Sequence, residues 1–372
     1  MRYIRQEIFN EMGKKGQQKL RKSTVAIVGL GALGSVSANL LARAGIGKLI
    51  LIDRDIVELS NLQRQNLFDE SDVGKPKAFC TKEHLIEINS DIEIVSVIDD
   101  LNYNNINKIV PIKNLNNEKN NKTLENQRFS GHIKSTRFYR EIKNKNIDLI
   151  LDCTDNLETR FLINDFCIKN KIPFIYSSAV GSKGYVFNII PDKTPCLRCF
   201  LKEAAQLDTC ETVGVLNTIT NLIPSLQVNE AIKTLLNKES NASELVRTRS
   251  QLPEKSLLFF DVWRNELLRL KVNKNKNCIC CVKNNFEYLN GKKSSKIAKL
   301  CGDDIYQIKA KSIGKNRFGE LKNKLKKIGK VIDFNHCINF DNKLTIFNDG
   351  RALIKAKGEK EAKSIYSKFI GN

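Results

Sequence analysis

The sequence predicts an α/β protein built on a doubly wound, mostly parallel Rossmann-like sheet, with a small α+β extension at its C-terminal end. Three observations predict it. The apolar run from Thr24 to Gly29 leads straight into Gly29-Leu30-Gly31-Ala32-Leu33-Gly34, then into a helical stretch and a second apolar strand at Lys48 to Asp53. Asp148 to Asp152 is another strand of the fully buried kind, again followed by a helical pattern and a strand. Strands alternating with helices at this spacing form a parallel sheet covered on both faces. In the tail this alternation gives way to a different order of helix and short strands.

Taken in order, residues 1–20 read as an amphipathic helix or arm. The first βαβ unit follows, with its helix from Leu33 to Gly45. Apolar and polar residues alternate from Glu93 to Ile98, predicting a strand. Residues 111–145 are a run of Asn, Lys and other polar residues too poor in apolar positions to support a core, and are expected to be a mobile surface insertion. Beyond the strand ending at Asp152, a helix is predicted from Leu157 to Asn170 and a strand from Phe174 to Ser178. Basic, polar stretches at Asn273–Asn277 and Lys292–Lys299 separate this part from the tail. There the pattern predicts a helix at Phe318–Lys327, strands at Lys330–Phe334, Leu344–Asn348 and Ala352–Lys355, a turn at Asp349-Gly350 and a last helix at Lys360–Phe369. Two domains are expected, 1–290 and 300–372.

The chain has 372 residues, of which 41% are hydrophobic, enough for a substantial core. Its net charge of +21 raises nucleic-acid binding. Lys and Asn are abundant throughout, however, and no aromatic-interleaved RNA motif accompanies the charge, so nucleic acid is not the expected partner. A basic surface also suits a nucleotide's phosphates or an acidic protein. Met1 to Lys22 is charged throughout, unlike a secretory signal, and Val25 to Ile52 is broken by glycines, Ser35, Asn39 and Arg43, unlike a membrane span. A cytoplasmic protein is expected. Eleven cysteines, an odd number, then point to metal binding or a reactive thiol rather than a disulfide framework.

Four motifs and one cysteine carry the chemistry. In Gly29-x-Gly31-x-x-Gly34, glycines let the backbone approach a phosphate at a helix N-terminus, and Asp53, ending the next strand, can hold ribose hydroxyls. Ser60-Asn61-Leu62-Gln63-Arg64-Gln65 and Gly74-Lys75-Pro76-Lys77 add a cluster of Asn, Arg and Lys. A redox dinucleotide site has no use for it, whereas a triphosphate releasing pyrophosphate does. Asp152-Cys153-Thr154-Asp155-Asn156 ends a buried strand, where ligands sit in open α/β sheets. Asp155 is placed to hold Mg²⁺ across the phosphates, and a cap on the next helix is the alternative reading for Asp152. Cys196-x-x-Cys199 and Cys278-x-x-Cys281 supply four thiolates at the spacing of a closed, structural Zn²⁺ site, with Cys280 leaving the register of the second pair ambiguous. Cys210 stands alone in a polar, glycine-containing segment, either a nucleophile or a small buried hydrophobe. Cys80, Cys153, Cys167, Cys301 and Cys337 are read as buried hydrophobes, and His84, His132 and His336 form no cluster.

These motifs, in this order from Arg2-Tyr3-x-Arg5-Gln6 to Cys281, resemble the MoeB/ThiF/HesA family, bacterial and archaeal relatives of ubiquitin-activating enzymes. The resemblance implies an ATP-dependent adenylyltransferase: the C-terminal Gly-Gly carboxylate of a ubiquitin-like sulfur-carrier protein attacks the α-phosphate, giving an acyl-adenylate and pyrophosphate. It implies that Asp53 binds the ribose, that Asn61, Arg64 and Lys77 contact phosphates, and that Asp155 coordinates Mg²⁺. Ser60, Ala32 and Asn156 line the same nucleotide site by their place in the motifs. Arg5 takes the position of an arginine that reaches into a partner's site, so a homodimer is implied. Cys210 aligns with the cysteine that ThiF-like members use to take up or pass on the activated carrier. No rhodanese-like loop is present, so sulfur would come from another protein, such as a cysteine desulfurase or a rhodanese. Residues 345–371 resemble an extension found on some members.

Two other readings compete. A tRNA-modifying dehydratase of the same superfamily uses ATP and suits the basic charge, but that branch lacks the paired zinc cysteines. An NAD-dependent oxidoreductase accounts for the glycine loop and Asp53 and leaves the remaining motifs idle.

Overall fold

Every position of Thr24–Val28 (β1) is buried, as a strand covered on both faces must be. The computed structural model describes residues 2–110, 146–202, 210–237, 252–293, 297–299, 305–308, 315–334, 337–341, 343–347 and 350–371, with the side chains of 210–211, 297–299 and 315–316 outside the description. The insertion expected at 111–145, Cys301, His132, His336 and Asp349 lie outside the described residues. The remainder falls into two units, one from residues 2–110 and 146–293 and one from residues 297–371.

In the first unit, β1 pairs in parallel with Lys48–Asp53 (β2) on one side and Leu149–Asp152 (β4) on the other. Glu93–Ile98 (β3) lies outside β2, and Phe174–Val180 (β5) outside β4, both parallel. The strand order therefore reverses at β1, and the crevice that results lies at the C-terminal ends of β1 and β4. Lys183–Ile189 (β6), Leu257–Asp261 (β7) and Glu266–Leu270 (β8) extend the sheet antiparallel, in the order β3-β2-β1-β4-β5-β6-β7-β8. The sequence pattern had assigned no element to residues 179–272.

The N-terminal segment is two helices, Ile4–Ile8 (α1) and Gly13–Lys22 (α2), broken where Gly13 takes a left-handed φ of +59°. Gly34–Ala44 (α3), Lys77–Ile88 (α4), Ile106–Ile109 (α5) and Leu157–Asn170 (α6) follow. Cys210–Val213 (α7) is a single turn, and Asn217–Leu236 (α8) runs twenty residues with Pro224 inside it. Helices α2, α3, α4 and α8 share one core with Val25, Ile27, Leu49, Leu51, Leu149 and Leu151. The alternate strand residues, among them Ala26, Val28, Ile50 and Ile52, are turned to the other face and are equally buried. No described helix is long and apolar enough to cross a membrane.

The second unit is a six-stranded antiparallel sheet with two helices. Ile297–Lys299 (β9) and Ile305–Ile308 (β10) precede Lys315–Lys326 (α9); Val331–Asp333 (β11), Cys337–Phe340 (β12), Leu344–Phe347 (β13) and Ala352–Lys355 (β14) then lead to Glu359–Phe369 (α10). The order is β11-β12-β13-β14-β10-β9. Leu321, Leu325, Ala362 and Tyr366 of the helices meet Ile338, Leu344, Ile346 and Ile354 of the strands in one core. The predicted helices and β11, β13 and β14 are present at nearly the expected bounds; β9, β10 and β12 had not been anticipated.

Candidate nucleotide site and cysteine cluster

The glycine loop is built for close approach. Gly29 has φ +86°, and a Cβ there would lie 2.7 Å from the Cys153 carbonyl oxygen. A Cβ on Gly34 would lie 1.8 Å from the Gly29 carbonyl oxygen, so glycine alone closes this turn onto α3. A Cβ on Gly31 would meet only an ordinary contact, Gln65 Nε2 at 3.8 Å, and Ala32 is half-buried beside it. Gln65 is buried and its Oε1 has no hydrogen-bond partner among the described residues. Backbone N–H groups at a helix start with vacant space before them are a phosphate-binding arrangement.

Asp53, last residue of β2, accepts from Leu30 N at 2.5 Å and Asp55 N at 2.6 Å, which ties the glycine loop to the ribose-side strand. Burial, reinforced by the neighbouring Asp55 carboxylate, pushes its pKa up to about 6 against the opposing pull of Lys77. The segment carrying Lys77 is stitched back onto this strand end. Gly74 N donates to Val57 O, Val57 N to Lys75 O and Lys77 N to Asp55 O, at 2.8 to 2.9 Å. Lys77 Nζ comes to 3.7 Å from Asp55 Oδ2. Burial works against the Lys77 charge, but Asp55, Asp53 and Asp155 outweigh it and hold the ammonium above its ordinary pKa. Residues twenty-four apart in the chain thus meet in one cleft.

Asn61 is buried and its Oδ1 accepts from Glu58 N at 3.3 Å, fixing a short turn, while Arg64 Nη1 donates to Ser60 O at 2.8 Å. Ser60 is exposed and Arg64 half-buried. Asp155 is exposed beyond the end of β4, and its charge reaches Arg54, Lys77 and Arg160, each of which it helps keep protonated. The structure therefore brings Asp53, Lys77 and Asp155 to the mouth of the crevice.

Asp152 does not cap α6. Its Oδ1 accepts from Thr154 N at 3.0 Å and Thr154 Oγ1 at 2.7 Å, whereas Asn156 is the cap, its Oδ1 accepting from Thr159 N at 2.9 Å. Four residues, 153–156, separate β4 from α6; the Asx turn at Asp152 closes on Thr154, and the side chain directly before the helix, Asn156, satisfies a first-turn donor.

The N-terminal motif divides its work. Gln6 Nε2 donates to Ala44 O at 3.0 Å, and Tyr3 packs its ring against left-handed Gly45 while its hydroxyl accepts from Asn89 at 2.8 Å. These contacts hold α1 to the end of α3, and Arg5 stays exposed.

Several site residues escaped sequence reasoning. Arg54 pairs with Asp100 at 3.0 Å, and Arg160 donates to Thr154 O with its guanidinium 4.8 Å over the Tyr176 ring. Gln227 of α8, fully buried, donates to Asp152 O at 3.2 Å and Ile175 O at 2.9 Å while its Oε1 accepts from Ser37 at 3.0 Å and Cys153 at 3.3 Å. Several polar residues share α8 with Gln227, so its sequence context offered no distinct signal. His84, given no role, lies 2.6 Å from Asp72 and braces the loop before α4.

The cysteines sort clearly. Cys196, Cys199, Cys278 and Cys281 bring their sulfurs within 4.8 Å of one another, with separations of 3.9 Å (196–199), 3.5 Å (196–278) and 3.6 Å (199–281). A tetrahedron of sulfurs about 2.3 Å from one zinc has edges of about 3.8 Å, so the donor set fits that ion. Cys280 lies outside this set of four, and its sulfur accepts from Asn164 Nδ2 at 3.2 Å, beside Cys196 and the Asp165 carboxylate, which resolves the register in favour of Cys281. Burial pushes the Cys80, Cys153 and Cys337 thiols up to about 12, keeping them protonated and inert. The Cys210 side chain lies outside the description; the turn carrying it leads into a parallel bridge between Val215 and Gly181, with Leu216 N donating to Gly181 O at 2.9 Å.

Fold and site together define a nucleotide-binding α/β protein with a cation-lined cleft and a four-thiolate cluster. A family model described as the ThiF family matches residues 3–281, and the chain belongs to that family. It is 34% identical, over 100% of its own length and 99% of the relative's, to the sulfur carrier protein ThiS adenylyltransferase of Bacillus subtilis (strain 168). Against the Escherichia coli (strain K12) protein of the same name the identity is 35%, over 66% of this chain and 85% of the relative. The SAMP-activating enzyme E1 of Haloferax volcanii is 29% identical over 75% of this chain and 88% of its own. Among solved structures, E. coli MccB with MccA-N7isoASN has a TM-score of 0.57 at 22% identity, covering 76% of this chain and 75% of that one, a likeness of fold.

Proposed function

We propose that this chain is an ATP-dependent adenylyltransferase that activates the C-terminal Gly-Gly carboxylate of a ubiquitin-like sulfur-carrier protein. The observation that carries the proposal is the meeting of Asp53, Lys77 and Asp155 around the glycine loop, in a chain aligned over its full length with a ThiS adenylyltransferase. A terminal carboxylate is already ionised at neutral pH, so the reaction needs cations rather than a general base. One carboxylate oxygen attacks the α-phosphorus, the bond to the β-phosphate oxygen breaks, and pyrophosphate leaves. Lys77, Arg64 and Asn61 neutralise and orient the phosphates, and Ser60, Gly29, Gly31, Ala32, Gly34 and Asn156 shape the pocket. Asp53 holds the ribose. Asp155 would ligate Mg²⁺, which supplies charge neutralisation across the phosphate chain.

In the same reading a homodimer places Arg5 of one subunit at the partner's phosphates, Cys210 takes part in a thiol step after adenylation, and a cysteine desulfurase or rhodanese supplies sulfur. The four cysteines hold a structural zinc. A protein-sized substrate also suits the outer edge of the sheet, where Trp263, Leu267, Leu268 and Leu270 are exposed on the β7–β8 hairpin. The enzyme is placed in the cytoplasm, where ATP is supplied. Incubating the chain with ATP, Mg²⁺ and a ThiS-type carrier should yield an adenylate mass adduct on the carrier; a carrier lacking its last glycine that was adenylated equally well would refute the proposal.

The Asp53 pKa gives a pH signature. Only the ionised carboxylate accepts both ribose hydroxyls, so adenosine, which has no phosphate to titrate, should bind progressively better through a midpoint near pH 6. Lys77→Met removes the cation that lowers this pKa and should move the midpoint upward. For stability the sign is opposite: the folded state binds the extra proton between about pH 4 and 6 and loses that advantage as pH rises through 6, on the order of 3 kcal/mol. Calorimetric titration of adenosine between pH 5 and 8 measures it, and a flat profile would remove Asp53 from the ribose.

A further inference from the structure

We propose that Asn164 couples the four-thiolate centre to the nucleotide cleft through α6, so that filling either site tightens the other. The inference rests on the zinc and ATP–magnesium readings above. Asn164 sits mid-helix, fully buried, where asparagine is a poor choice on helix propensity alone. Its amide is used at both ends. Oδ1 accepts from Leu197 N at 2.8 Å, and Leu197 lies between Cys196 and Cys199. Nδ2 donates to Cys280 Sγ at 3.2 Å, and Cys280 lies between Cys278 and Cys281. One side chain therefore clamps both cysteine turns, the position of a residue that orients metal ligands from behind.

Its neighbours on α6 hold the first cysteine turn and the segment that follows the second. Asp165 Oδ2 accepts from Tyr288 N at 3.0 Å. Arg198 lies over the rings of Phe161, at 5.6 Å, and Tyr288, at 5.3 Å, and pairs with Glu287 at 3.0 Å. At the other end of the helix, Asn156 caps α6 and Arg160 holds the Thr154 carbonyl, so the residue between them, Asp155, is set by where α6 begins. Asn156 and Asn164 are about 12 Å apart along the axis. Every residue from Thr159 to Ile168 is buried, so the helix is wedged in the core and transmits a displacement rather than absorbing it. Fixing the cysteine turns fixes α6, and fixing α6 places Asp155. Linkage then requires the reverse: a cation and triphosphate held by Asp155 must tighten the metal centre by the same factor.

The test follows zinc leaving the full-length protein into a chromogenic chelator, with and without ATP and Mg²⁺ and with no carrier present. In the wild type the nucleotide should slow release by about fivefold or more. In Asn164→Ala release should be faster and no longer respond to nucleotide, with zinc still bound at purification and ATP held more weakly. Cys280→Ala, which keeps all four ligands and removes the sulfur that accepts from Asn164 together with its contacts to Asp165 and Cys196, should lose part of the nucleotide effect and serves if Asn164→Ala does not fold. A wild type whose zinc release ignores ATP, or variants keeping the full effect, would overturn the coupling. Zinc content and ATP affinity measured on the same samples separate the cases. Protein purified without zinc, or unable to bind ATP, refutes the coupling together with the reading beneath it; both ligands bound but indifferent to each other refutes the coupling alone.

Discussion

Asp155→Ala is expected to slow carrier-dependent ATP–pyrophosphate exchange by about 10²- to 10³-fold while leaving the protein folded. The side chain is exposed beyond β4, and among the described residues it accepts no hydrogen bond, so little of the fold rests on it. Its removal should change stability by no more than about 0.5 kcal/mol. What it supplies is negative charge at the mouth of a cleft otherwise dominated by Lys77, Arg54 and Arg160. If Asp155 ligates Mg²⁺ as proposed, its loss leaves the charge building up on the departing pyrophosphate to these cations alone. Asp155→Asn keeps the shape and removes the charge, so it should be as slow as the alanine variant. Exchange rates beside melting temperatures decide it; an Asn variant of normal activity would show that the residue's charge is not used.

Cys199→Ser should empty the metal centre and lower the melting temperature substantially. Metal binding energy is folding energy when the site forms only in the folded chain. Losing one of four thiolates leaves three sulfurs, packed at 3.5 to 3.9 Å in the intact cluster, without the cation that reconciles their charge. The cost, on the order of 4 kcal/mol, corresponds to roughly 8–16 °C for a domain of this size. Cys280→Ser is the matched control, because its sulfur faces Asn164, and it should retain one zinc per chain. Metal analysis and thermal unfolding of the two variants read both predictions. A Cys199→Ser protein with full zinc and an unchanged melting temperature would contradict the assignment.

The legible parts of this molecule were those where local chemistry and long-range contact demand the same residue. Gly29 and Gly34 are dictated by close backbone, because a Cβ there would lie 2.7 and 1.8 Å from carbonyl oxygens, and β1, β2, β3 and α6 follow buried or alternating patterns that admit few readings. The cysteine spacing carried the cluster, though Cys280, lying between Cys278 and Cys281, left the register open until the fold set its sulfur against Asn164. Less legible was everything set by distant partners. Arg54, Arg160 and Gln227 look like ordinary polar residues until β2, β4, β5 and α8 assemble around them. The sequence leaves a helix cap open as an alternative for Asp152, because Asx turns and caps use the same side chain; the structure gives the turn to Asp152 and the cap to Asn156. Strand β8 offers no burial pattern, being exposed at all five positions. The two-helix N-terminus turns on the left-handed Gly13.

The most direct test of adenylation is ATP–pyrophosphate exchange with the purified chain, Mg²⁺ and a ThiS-type carrier ending in Gly-Gly. The account predicts exchange that requires the carrier's intact terminal carboxylate and vanishes when the last glycine is removed or amidated. Protein that binds ATP and holds zinc, yet gives no exchange with any Gly-Gly carrier, would contradict it.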